Sequence, residues 1–194
     1  MATTGTQTTP PAGEIVLTYE DYLRLPDDGQ RYELLEGVLH VTPSPTTTHQ
    51  RVSRRLFSIL DAFVKEHNLG EVFYAPLDIV FSSVSVAQPD LLYVSEARRG
   101  IITEKNIAGA PDLVVEIASP ATAGVDRVTK AQVYARYGVP YFWVVDPQQK
   151  TLEEYRLERG IYMLVRCWEE DAVFAPELFP GLKANLKEVW PLNV

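Results

Sequence analysis

A single cysteine, Cys167, stands in 194 residues, so no intrachain disulfide and no cysteine-based zinc site can form. The default that follows is a reducing, cytoplasmic setting. No uninterrupted apolar run approaches the length of a membrane span, and the start, Met1 to Gln7, lacks the basic and apolar segments of a secretory signal. There is no GxxxxGK[ST], no GxGxxG, no GxSxG and no HExxH, which removes support for nucleotide-cofactor, serine-hydrolase and zincin readings. Basic excess is missing too. The formal net charge is −8, whereas proteins that grip nucleic acid non-specifically carry a positive field. Any contact with phosphates must then use local basic patches or divalent ions.

Apolar content of 46% and charged content of 23% are ordinary for a globular chain with a sizeable core. Residues 1–13 are rich in Thr, Pro and Gly and are expected to form a disordered tail; residues 14–194 are expected to form a single domain. Thr18 reads as the N-cap of a short helix with Asp21 at the capping-box position. Arg31 to Leu35 and Val38 to Val41 read as a hairpin through Glu36-Gly37. From Thr46 or Thr47 to about His67 runs the clearest helix, with Val52, Leu56, Ile59, Leu60, Phe63 and Val64 on one face. Val72 to Tyr74, Leu77 to Phe81 and Leu91 to Val94 read as strands, with a turn-rich stretch from Ser82 to Gln88. Ser95 to Ala110 reads as a loop with a helical turn. Tyr141 to Val145 is another strand, Thr151 to Leu157 and Ile161 to Arg166 an antiparallel pair, and the end a turn at Pro180-Gly181 with a final short helix. Helices alternating with a mixed sheet predict an α/β or α+β fold, with one central helix packed beside the sheet.

The central stretch is Pro111 to Tyr137. Leu113 to Ala118 is a β-branched apolar run, apolar on both faces, that reads as a strand covered on both sides. Glu116 interrupts it, sharing a face with Val114 and Ala118. A carboxylate placed there costs several kcal/mol, on the order of the usual penalty for burying charge, unless a cation, a metal or hydrogen bonds meet it. After a loop, Val125 to Tyr137 reads as a helix with Asp126, Lys130 and Tyr134 in one stripe. Folded back over the sheet, that helix sets Lys130 about 7.5 Å along its axis, level with Glu116 about 7 Å back from the strand end. The pair is then either a structural ion pair or part of a site.

Asp90 heads one core strand and Glu116 lies inside another. Two hard oxygen ligands on rigid strands suit Mg²⁺ or Mn²⁺, and a lysine beside such an ion can orient water or steady a charged phosphate. Each residue has a plainer reading. Asp90 after a proline could be a turn acid, Asp112 likewise, and Tyr134 a packing residue. Arg51, Arg54 and Arg55 make a basic helix surface that is either solvated or turned to phosphate.

Pro89-Asp90 followed by Glu116-Ile117-Ala118 resembles the PD-(D/E)XK nuclease pattern. The ordered set YELLEG (32–37), PSPTTTH (43–49), PDLLYV (89–94), VVEIASP (114–120), DRVTK (126–130) and YFWVVDP (141–147) resembles more closely the putative restriction endonuclease family of that superfamily, over roughly residues 17–165. The resemblance implies a restriction-endonuclease-like sheet flanked by helices, dependence on Mg²⁺ or Mn²⁺, a nucleic-acid substrate with DNA ahead of RNA, and a homodimer or higher homo-oligomer. It implies Asp90 and Glu116 as metal ligands, Lys130 as the lysine of the pattern, Glu33 as a further acid and His49 as a substrate contact. One departure stands out. The superfamily carries its lysine two positions after the glutamate, where this chain has Ala118, and Lys130 on the following helix takes that part. The alternative is a non-catalytic nucleic-acid-binding or scaffolding module on the same fold.

Overall fold

The computed structural model describes residues 15–119 and 125–190; the expected tail at residues 1–13 lies outside them. In chain order the elements are α1 (Tyr19–Tyr22), β1 (Arg31–Leu35), β2 (Val38–Thr42), α2 (Thr47–Glu66), β3 (Gly70–Tyr74), β4 (Ile79–Ser82), β5 (Ser85–Ala87), β6 (Leu91–Ser95), β7 (Ile107–Ala108), β8 (Leu113–Ile117), α3 (Val125–Arg136), β9 (Tyr141–Asp146), β10 (Thr151–Glu158), β11 (Ile161–Glu169), β12 (Val173–Phe174) and β13 (Ala184–Asn185). Short 3₁₀ turns cover Glu96–Ile101 and Leu186–Glu188.

Local chemistry explains the boundaries. The Thr18 and Asp21 side chains close a reciprocal capping box on α1. The β1–β2 turn needs two residues at positive φ, which Glu36 (53°) and Gly37 (83°) supply. Thr46 caps α2 by accepting the His49 N–H at 3.2 Å. Asn68, at φ 52°, turns the chain out of that helix.

The strands form a five-stranded sheet in the order β2-β1-β5-β4-β7, a six-stranded sheet in the order β11-β10-β9-β8-β6-β3, and the small pair β12-β13. Both larger sheets are mixed: β8 runs parallel to β9, and β4 parallel to β7, among otherwise antiparallel neighbours. The six-stranded sheet is sandwiched between the two long helices. On one face Val52, Leu56, Leu60 and Val64 of α2 pack on Leu91, Tyr93, Leu113, Val115, Trp143 and Val145. On the other, Val133 and Tyr134 of α3 pack on Leu92, Val114, Phe142 and Val144, joined by Leu35, Ile79 and Ala87 of the five-stranded sheet. The strict division of alternate residues between faces is strand geometry at work. Each fully buried aliphatic contributes about 1.5–3 kcal/mol.

Two local expectations are corrected. Ser82 to Gln88 contains a strand, β5, rather than turn alone. Val86 and Ala87 are wholly buried, and Ser85 is fixed by donating to Glu36 Oε1 at 2.8 Å. At the C-terminal end a 3₁₀ turn replaces the expected helix, because Leu186, Val189 and Trp190 are all drawn into the core. The chain passes from one large sheet to the other at Gln88-Pro89-Asp90, between β5 and β6. That crossing makes a seam, and the residues singled out above meet along it.

Candidate active site

Three segments converge on Lys130. The residue sits on the inner face of α3, 5% exposed, one turn before Tyr134. Its Nζ lies 2.9 Å from Glu33 Oε2 and 3.2 Å from Glu116 Oε1. The ammonium thus bridges a carboxylate of the five-stranded sheet and one of the six-stranded sheet. Glu33, on β1, is 1% exposed. Its Oε1 accepts the Gln88 N–H at 2.8 Å and its Oε2 the Thr42 hydroxyl at 3.3 Å. Glu116, on β8, also accepts a 2.6 Å hydrogen bond from the Tyr134 hydroxyl. The Asp126 side chain lies outside the described residues.

Asp90 stands beside this cluster. The β6–β8 ladder ends at Leu91↔Val115, so the continuing register sets Asp90 level with Glu116. Side chains so placed sit about 5 Å apart at Cβ in a regular antiparallel pair. The Asp90 carboxylate takes over where the ladder stops: Oδ2 accepts the Ile117 N–H at 2.8 Å and lies 3.0 Å from His49 Nε2, while Oδ1 is 3.7 Å from the Arg31 guanidinium. His49 Nδ1 is buried and has no hydrogen-bond partner among the described residues.

The two carboxyls answer burial differently. Burial presses on both. For Asp90 it is outweighed by the hydrogen bond and charge of His49, the Ile117 amide and Arg31, which hold the group below its usual range. For Glu116 burial prevails over the help of Lys130 and Tyr134, and the charges of Asp90 and Glu33 add to it, pushing the group up to about 8. Around the seam three carboxyl groups, Asp90, Glu116 and Glu33, face Lys130, Arg31 and His49.

Among the described residues no three His, Cys, Asp or Glu side chains are gathered as a self-sufficient metal cage. Mg²⁺ does not need one. It is held by one or two carboxylates, keeps several waters and bridges to substrate phosphates. Asp90 and Glu116 offer two oxygen donors of the hard kind that such an ion takes, and that donor chemistry fits a hard dication. Lys130 keeps Glu33 as its nearer partner if Glu116 turns to an ion.

All five residues singled out from the sequence, Glu33, His49, Asp90, Glu116 and Lys130, lie at the seam. Asp112 does not. It accepts the Ser95 N–H at 2.7 Å and pairs with Arg98 at 3.3 Å, the turn role expected of it. His49 is neither helix cap nor surface residue, since Thr46 does the capping and Asp90 holds the imidazole. Reading Tyr134 as packing left out its hydroxyl, although its place one turn beyond Lys130 was the available signal. Arg31 was missed; alternation along β1 sets it on the Glu33 face.

Compared with known proteins, the sequence matches the family described as "Putative restriction endonuclease" (Uma2) over residues 19–187. The chain belongs to that family. Members of this restriction-endonuclease-like group generally use divalent metals and act on nucleic acid. The fold is similar to the crystal structure of a putative nuclease belonging to DUF820 from Anabaena variabilis ATCC 29413, with a TM-score of 0.74 and 23% identity, covering 90% of this chain and 97% of that one. At that identity the likeness speaks for the fold. No curated protein matches the family member described here. Among its described residues no helix is long and apolar enough to cross a membrane.

Proposed function

We propose that the protein is a divalent-metal-dependent endonuclease that hydrolyses phosphodiester bonds in DNA or RNA. The observation that carries this reading is the meeting of Asp90, Glu116, Glu33 and Lys130 at one seam, drawn from four separate segments. Asp90 and Glu116 would hold Mg²⁺ or Mn²⁺. Such an ion neutralises charge on a phosphodiester and acidifies water. Lys130, held by Glu33 at 2.9 Å, would orient the attacking water and meet the negative charge that grows on the phosphate oxygens. Glu33 positions that ammonium; Tyr134 restrains the Glu116 carboxylate. His49 fixes the Asp90 rotamer and faces the substrate side.

Cleavage of plasmid, single-stranded DNA and RNA is measured with Mg²⁺, Mn²⁺ or chelator, beside Asp90→Ala, Glu116→Gln and Lys130→Met. We expect metal-dependent cleavage that falls about 10²-fold or more in each variant, with circular dichroism preserved. Unchanged activity in all three removes the assignment.

A second reading has its own observation: Lys130 is engaged by both Glu33 and Glu116, as a purely structural pair would be. A binding or scaffolding module on the same fold would then show no specific calorimetric isotherm with Mn²⁺. A saturable one abolished by Glu116→Gln favours the nuclease.

A further inference from the structure

Next to Asp90 the surface opens into a cavity of about 710 Å³, between the first three turns of α2 and the end of β3. Its size is that of a site for a small organic ligand, which runs to several hundred Å³. Its walls are unlike the rest of this acidic chain. Arg51 and Arg54, one turn apart on α2, are exposed and unpaired with any carboxylate among the described residues, and Arg31 lies deeper. The Tyr74 ring is 61% exposed. Phe57 packs against it in a T-shaped contact, with centroids 4.9 Å apart and planes at 76°, and Tyr74 still lines the open cavity. His49 also lines the cavity and is 9% exposed, with Nδ1 unsatisfied. Nε2 is taken by Asp90, so the buried Nδ1 is a polar atom that a ligand's own polar group can satisfy.

We infer that this cavity is a subsite for one unpaired nucleotide of a single-stranded nucleic acid, its base stacked on Tyr74 and its phosphates on Arg51 and Arg54. The inference rests on the nuclease reading for the chemistry next door, and it names the form of the substrate. A duplex keeps its bases stacked inside, out of reach of a concave aromatic wall; a single strand or an extruded nucleotide does not. Stacking platforms set within a basic groove are how single strands are held without sequence preference. A base edge or a sugar hydroxyl is a polar partner of the kind that His49 Nδ1 lacks among the described residues.

The test uses the full chain in chelator at low salt, where hydrolysis cannot obscure binding. Fluorescence anisotropy follows labelled oligothymidylate, labelled oligouridylate and a blunt duplex of equal length. We expect both single strands, or the one whose sugar suits the site, to bind about tenfold tighter than the duplex. Tyr74→Ala should weaken single-strand binding about fivefold or more, while Tyr74→Phe, which keeps the ring, should not. The Arg51→Ala/Arg54→Ala double variant should bind more weakly and with a shallower salt dependence. Equal affinity for the duplex, no binding to either single strand, or a Tyr74→Ala protein that binds like the parent overturns the inference. Single-strand binding lost in Tyr74→Ala, without cleavage in Mg²⁺ or Mn²⁺, leaves the subsite standing and sinks hydrolysis. Cleavage of duplex and single strand alike, indifferent to Tyr74→Ala, does the reverse.

Discussion

Asp90 and Glu116 are neighbours across the seam, yet they live in opposite electrostatic conditions. Three groups from three segments converge on Asp90, the imidazole of α2 and an amide of β8 within hydrogen-bond distance and the guanidinium of β1 as a nearby charge, and the group stays ionised. Glu116 is pushed up to about 8 by burial, with the charges of Asp90 and Glu33 adding to it, and it shares its cation with Glu33. The difference teaches that the two carboxyls are not a matched pair of ligands. One is a fixed anion around which a site can be built. The other is an acid whose charge depends on what else arrives.

The change that breaks this contrast most severely is loss of Lys130. Lys130→Ala leaves Glu33 and Glu116 buried without their shared cation, and chemical denaturation should register a loss of about 3–5 kcal/mol. Lys130→Met, which keeps the volume, should lose less stability and no less activity. Next comes pH. Because the Glu116 carboxyl is raised from its ordinary 4.5 to about 8, the folded chain holds a proton that the unfolded chain has released anywhere between those values. Stability of the metal-free protein should therefore fall as pH rises through that interval, by on the order of a few kcal/mol, and Glu116→Gln should flatten the slope. Asp90 acts in the opposite direction: its contribution is present above its ordinary 3.8 and is lost as pH falls through its lower folded value. A flat profile in the parent protein, or a slope that survives Glu116→Gln, would show that the two carboxyls do not differ. Tyr134→Phe removes the 2.6 Å hydrogen bond and should cost about 1–3 kcal/mol, with the pH midpoint of Glu116 moving higher. Smallest of all should be Arg98→Ala, which breaks the half-exposed pair with Asp112 away from the seam. About 1 kcal/mol or less and unaltered nucleic-acid cleavage are expected.

Much of this was readable before any coordinates. An acid inside a β-branched run and a lysine on the next helix declare themselves through two periodicities, and counting rises along strand and helix brought Glu116 and Lys130 level; they lie 3.2 Å apart. The two-faced burial of β8 and the long α2 came from the same arithmetic. What escaped were facts that depend on distant segments. Nothing local to Thr47-Thr48-His49 says that the histidine is buried, since the partner that buries it is 41 residues away. Pro89-Asp90 reads as a turn whether or not the chain changes sheets there, so two sheets were not distinguishable from one. β5 was lost among serines because it is three residues long, too short for an alternating pattern to register.

Lys130 is the rivet between the two sheets, with one carboxylate on either side of it. A molecule in which each sheet kept its own ladder, but the two had parted by an ångström or two, would retain the circular dichroism of the native state and lose the constellation. Activity, if hydrolysis is its work, would then fade on warming before the spectrum changed, and a bound cation would raise the temperature at which the parting begins.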